Sequence, residues 1–241
     1  MQPTVFACVI CAAILHASWN AVLRGGRDRL WSMTLMMVAI ALASEAGLLV
    51  VTWPGAVSWP YLAASALIHV AYNLSLVHTY RTGDLGQSYP VSRGSSPVLI
   101  ALGAWVFAQE RPTLLSIAGI GFVSTGIVSL AFESGKVKTK NLRAALTTGV
   151  LIGAYTVVDG VGVRLSGSSL GYAAGMFLLW SLCWGPVALL LQRRPPIYSR
   201  GQTATALGGG LVSVVAYGIV IWAMQFGAMA AVSALRETSV V

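Results

Sequence analysis

Charge is scarce in this chain. Only 9% of its 241 residues are charged and only seven are acidic, where a soluble domain carries about 25% charged residues. A chain with so little charge has no means of clothing a soluble surface, and the same chain is 56% hydrophobic with a mean hydropathy of +0.77. What it does have is long apolar runs. A helix needs about 20 apolar residues to cross a hydrocarbon core of about 30 Å, and every backbone polar group there must be bonded within its own segment. The composition therefore describes an all-α polytopic membrane protein.

Spans are predicted at Val5 to Leu23, Trp31 to Thr52, Tyr61 to Tyr80, Tyr89 to Phe107, Thr113 to Phe132, Leu146 to Val163, Leu170 to Leu191 and Thr203 to Phe226. Turn-rich or charged breaks separate them, such as Arg24-Gly25-Gly26-Arg27-Asp28-Arg29 and Gln109-Glu110-Arg111-Pro112. The first span lacks a basic leader and a small-residue cleavage site, so it reads as an uncleaved helix. Residues 134–145, rich in lysine, divide the chain into a first module at 1–133 and a second at 146–241.

The second module reprises the first. Arg93 lies in Ser88-Tyr89-Pro90-Val91-Ser92-Arg93, and Arg236 in Ala231-Val232-Ser233-Ala234-Leu235-Arg236, each after a long apolar run. With a one-residue gap, Gly83 falls against Gly227 and Ala71-Tyr72 against Ala216-Tyr217. Five spans before the linker would insert the second module upside down, giving two inverted five-helix repeats. The second repeat is incomplete, with eight full spans and the start of a ninth. The expectation is a C-terminally shortened form of a ten-span protein.

These residues carry a family resemblance. The chain resembles the drug/metabolite transporter superfamily, of the type built from two EamA-like repeats. The resemblance rests on the paired halves, on His16-Ala17-Ser18-Trp19-Asn20 in span one, on Arg93 and Arg236 heading the fourth helix of each half, and on Gln109-Glu110-Arg111 closing span four. It covers essentially the whole chain. Gln109 departs from it, standing where the family usually has glycine. The resemblance implies a carrier of small organic solutes in a bacterial inner membrane, with no cofactor. Its central cavity would be formed by the first, third, fourth, sixth, eighth and ninth helices.

Polar residues at depth are the candidate site. An arginine near mid-bilayer costs about 2.5–3.5 kcal/mol on insertion scales, so a symmetric pair points to a site between the halves. Arg93 sits among the helix breakers Pro90, Gly94 and Pro97, which loosen the backbone toward a cavity. It serves either as an anion ligand or as half of a structural ion pair with Glu45 or Asp159. Arg236 has Glu237 beside it, and neighbours on a helix diverge by about 100°, so only one of the two is expected to face a ligand. His16 and Asn20 share a face of span one with Trp19 beside them, and His69, Tyr72 and Asn73 repeat the pattern in span three. Such faces line either a wet route or a hydrogen-bonded helix interface. Asp159 and Glu45 are the in-span carboxylates expected to couple protons or to neutralise the arginines. Together these predict an anionic or zwitterionic solute.

Orientation follows from loop charge. Of the 15 basic residues, eleven follow odd-numbered spans, Arg24, Arg27, Arg29, Lys136, Lys138 and Lys140 among them, and only Arg111 and Arg164 follow even-numbered ones. That places the loops after odd spans in the cytoplasm and the N-terminus outside. The net charge of +8 then faces an anionic leaflet, and no nucleic acid is needed as its partner. The expected partners are the lipid bilayer, a small solute and a possible second copy in a homodimer.

Other motifs read as packing. Cys8 and Cys11 lie in an apolar helix without a second ligand pair, and Gly208-Gly209-Gly210 lacks the lysine and hydroxyl of a phosphate loop. Gly149 and Gly153, and Gly171 and Gly175, are small residues four apart that allow close helix approach. An intramembrane enzyme would require a nucleophile and base or a metal-ligand spacing such as His-Glu-x-x-His, which is absent. A non-transporting scaffold or an inactive fragment remains the alternative to a carrier.

Overall fold

A computed structural model describes residues 1–82, 85–133, 139–192 and 196–240. The secondary structure described there is helical: α1 (Pro3–Gly25), α2 (Arg29–Leu48), α3 (Trp59–Thr82), α4 (Leu85–Ala108), α5 (Leu114–Glu133), α6 (Thr139–Leu165), α7 (Ser169–Leu191), α8 (Arg200–Ala223) and the short α9 (Met229–Glu237), with 3-10 turns at Ala56–Ser58 and Thr238–Val240. Eight of these helices are long and apolar enough to cross a membrane, the architecture of a polytopic membrane protein. Gly83 and linker residues 134–138 lie outside the described residues.

Local chemistry sets the helix ends. Pro3 opens α1, where its missing N–H costs nothing. Asp28 caps α2 by accepting from the Trp31 N–H at 3.0 Å, and Ser168 caps α7 from Gly171 at 3.1 Å. Ser199 and Gln202 form a reciprocal capping box on α8. The end of α4 is unusual. Gln109 adopts φ 58°, the left-handed region that favours glycine, and lets the Glu110 N–H reach back to the Ala104 carbonyl at 3.1 Å.

Several boundaries differ from expectation, with α4 beginning at Leu85 rather than Tyr89 and α8 at Arg200 rather than Thr203. The second span ends at Leu48 rather than Thr52, and α6 begins at Thr139, inside the stretch read as linker. Lys140 and Arg143 are good helix formers, and from Thr139 to Ala145 the segment has no proline or glycine to stop a helix.

The bundle interleaves its halves. α1 packs on α8 and α9, α2 on α7 and α8, α3 on α6 and α7, and α4 on α5, α6 and α9. Small residues permit the close approaches. A methyl group on Gly149 of α6 would meet Ser95 Oγ of α4 at 2.4 Å, and one on Gly153 would meet Leu99 at 3.2 Å. A methyl group on Gly171 would meet the Thr52 carbonyl at 2.1 Å. α5 lies on the rim with Leu114, Leu115 and Phe122 exposed, as a helix facing acyl chains should.

Candidate functional site

The site begins with a proline. Pro97 has no N–H to give the Arg93 carbonyl one turn earlier, and the buried Ser96 hydroxyl donates to that carbonyl instead, at 3.0 Å. α4 therefore runs unbroken past Pro90 and Pro97, contrary to the expected loosening, and it delivers Arg93 to the centre of the bundle. There the Arg93 and Arg236 side chains are 1% exposed and Glu237 is 0% exposed. Arg93 Nη1 donates to Glu237 Oε2 at 3.1 Å and to Oε1 at 3.4 Å. Arg236 donates to Oε1 through Nη2 at 2.7 Å and through Nε at 3.1 Å. One carboxylate thus bridges both guanidinium groups.

The triad corrects the partner expected for Arg93. The partner of Arg93 is Glu237, not Glu45 or Asp159. Glu45 is exposed near the end of α2, which takes it away from the central network and from the proton-coupling place expected of it. Arg236 and Glu237 also meet, because the divergence of about 100° applies to Cβ directions, whereas the long arginine side chain folds sideways over its neighbour.

Around the triad, His16 stands between two groups that can only donate. Its Nε2 faces Arg93 Nη2 in a short contact, and its Nδ1 faces the Trp19 indole N–H at 3.2 Å. A neutral imidazole carries one N–H, so it accepts from only one of them. The charged contact is the stronger, and the indole is held mainly edge-on to the ring. Arg93 Nη2 also lies 3.5 Å from Tyr72 Oη, while Arg236 sits 5.9 Å from the centre of the Tyr217 ring. The two residues aligned in the sequence, Tyr72 and Tyr217, each attend the arginine of their own half.

Beside this network lies a cavity of about 30 Å³, room for about two waters. It is bounded by α1, α2, α3, α6, α7 and α8. His16, Trp19, His69, Tyr72 and Asn73 line it as the sequence suggests, while Arg93, Arg236 and Asn20 do not. Asn20 is buried and donates to the His16 carbonyl at 3.0 Å. α4 and α9 thus stand behind the wall, and α2 and α7 replace them in it, a correction to the helix set the resemblance implies. Met33, Met36 and Met37 of α2 line it as well, with Phe177 and Trp180 of α7 and Tyr155 of α6. Tyr155 stacks on His69 with ring centres 4.0 Å apart.

Asp159 closes the second half of the site. It is fully buried on α6, with Oδ1 accepting from Tyr172 of α7 at 3.0 Å and Oδ2 from Tyr217 of α8 at 2.7 Å. Gly162 makes room for this arrangement, since a methyl group there would lie 2.4 Å from Tyr172 Oη.

No protein-family model matches this chain, and no curated protein matches it.

Polar contacts between the halves also close both ends of the bundle. At the end carrying the α1–α2 and α7–α8 connections, Tyr198 Oη donates to the Asp28 carbonyl at 2.9 Å, and Gln192 donates to Asp28 Oδ2 at 3.2 Å. At the opposite end Arg164 pairs with Glu110 and donates to the carbonyls of Met224 and Gly227, both at 3.0 Å. Glu110 Oε2 in turn accepts from the Met229 N–H at 3.0 Å.

Sequence reasoning missed Glu237 as the shared carboxylate and missed Tyr155, Trp180 and the three methionines. Their only sequence signal is aromatic or thioether character within an apolar span, which does not say which face is inward.

Proposed function

We propose that this protein carries small organic solutes across a membrane by alternating access between two inverted repeats, as a member of the EamA-like transporters. The observation that carries the reading is the cavity between the halves, mostly apolar with polar side chains in its wall, flanked at both ends of the bundle by polar contacts between the halves. Exchanging α1 to α4 for α6 to α9 turns the α1–α8 contact into α6–α3, α2–α8 into α7–α3 and α4–α6 into α9–α1, and leaves α2–α7 and α4–α9 unchanged. Each of these contacts occurs. Such exchange supports a two-fold relation between the halves, and a rocking motion about it would open one end while the other stays shut.

In this reading the cavity is the solute site in its closed state, Asp159 is the proton-coupling group, and the membrane is a bacterial inner membrane. The basic loops after α1 and α7 face the cytoplasm. Asp159→Asn is expected to abolish proton dependence while solute binding survives; unaltered pH-dependent transport by that variant would remove Asp159 from the role.

A metabolite comparison of cells with and without the gene nominates the solute, and its flux into proteoliposomes tests the carrier. A second reading, a non-transporting scaffold, is favoured by the small cavity and by the engagement of both arginines with Glu237. Absence of protein-dependent flux for every nominated solute would leave that reading standing, and a chemically altered solute would indicate an enzyme.

A further inference from the structure

Paired arginines suggest an anion, but with Asp159 ionised the buried charges cancel. Among the described residues the buried charged side chains are Arg93, Arg236, Asp159 and Glu237, two of each sign. An added anion would leave a net charge in a low-dielectric interior, which is costly, and Glu237 already occupies the inner faces of both guanidinium groups.

Arg236 Nη1 also lacks a partner among the described residues, but Arg236 does not line the cavity, and the unmet hydrogen-bonding capacity of the cavity wall lies elsewhere. Asn73 is 1% exposed and lines the cavity, and neither its Nδ2 nor its Oδ1 has a partner among the described residues. The Trp180 indole N–H, on the neighbouring helix α7, is also without one. His69 Nδ1 lies 2.9 Å from the Ser65 carbonyl and 3.1 Å from the Ser65 hydroxyl; Nε2 of the neutral ring is an acceptor when Nδ1 holds the proton and a donor when it does not. The wall therefore offers donors and acceptors side by side, framed by the rings of His69, Tyr155 and Trp180. Unpaired buried amides are rare because each carries its full desolvation cost.

We propose that the cavity binds a solute of zero net charge that presents a hydrogen-bond donor beside an acceptor on a flat body, as a carboxamide, lactam or amino-heterocycle does, with the Asn73 amide as its reader. An amide pairs with such an edge through two parallel hydrogen bonds, and the aromatic rings stack on its plane. The flexible methionines Met33, Met36 and Met37 yield the room that a cavity of about 30 Å³ lacks. The inference rests on the cavity being the solute site.

Nicotinamide and nicotinate share a ring and differ in this edge and in charge at neutral pH. Binding of each to the purified protein in nanodiscs, followed calorimetrically, is expected to favour nicotinamide by about tenfold or more. Asn73→Leu removes no existing partner, so it should melt no lower than the parent and yet lose that preference. Should it fail to fold, Trp180→Phe keeps the ring, removes the donor, and is expected to weaken nicotinamide binding. Nicotinate bound as tightly or tighter, neither compound bound, or an unchanged preference in both variants would each overturn the proposal. Proteoliposome flux separates the two readings. Amide-selective binding without flux sinks the carrier and keeps this inference, whereas flux selective for anions keeps the carrier and sinks it.

Discussion

A carboxylate held between two guanidinium groups decides much at the scale of single residues. Burying one charge costs several kcal/mol after relaxation, so Arg93, Glu237 and Arg236 are tolerable only as a set. Removing the shared partner should be more damaging than removing an outer one. Glu237→Ala is expected to destabilise the protein by about 3–5 kcal/mol in detergent unfolding, because two buried cations are left facing each other. A loss below about 1 kcal/mol would show that water reaches the triad and screens it.

At the scale of elements, space and backbone conformation govern. The three consecutive glycines of α8 look alike in sequence but occupy different surroundings. A methyl group on Gly210 would lie 2.5 Å from the Met36 carbonyl of α2, whereas none on Gly208 would meet any atom within 4 Å. Gly210→Ala is expected to cost about 1–3 kcal/mol through forced separation of α2 and α8. Gly208→Ala should be neutral or gain up to about 1 kcal/mol from helix propensity. Thermal unfolding of the two variants side by side checks this, and equal effects would contradict the α2–α8 packing. The end of α4 provides a converse case. Gln109→Gly relieves a left-handed backbone at φ 58°, and after the entropy cost of glycine should stabilise by about 0.5–1 kcal/mol; a lower melting temperature would refute strain at this site.

For the molecule as a whole, the contacts at the two ends matter because a carrier must break one set at a time. Weakening the Glu110–Arg164 end should open the cavity toward that face. With Cys8, Cys11 and Cys183 replaced by serine, Ser213→Cys on the cavity wall reports access. Glu110→Gln is expected to speed its labelling by a membrane-impermeant thiol reagent added from the Glu110 side and to leave labelling from the Asp28 side unchanged. Faster labelling from both sides would mean the bundle loosens as a unit instead of rocking.

Composition and order alone determined the class of the protein, its eight spans and the depth of most of its central groups. Hydropathy is local, and arginine, histidine and asparagine are too costly in lipid to lie anywhere but inside. The close-packing role of Gly149 and Gly153 was legible for the same reason, since small residues four apart mark one helix face. Only the tertiary structure decided what those groups touch. Glu237 bridges both arginines, Glu45 drops out at an exposed helix end, and the cavity presents Asn73 and Trp180 where guanidinium groups were expected. Partner choice depends on how helices far apart in the chain are rotated and stacked, and on how far a long side chain bends, and neither is encoded in the spacing of residues along one strand of sequence.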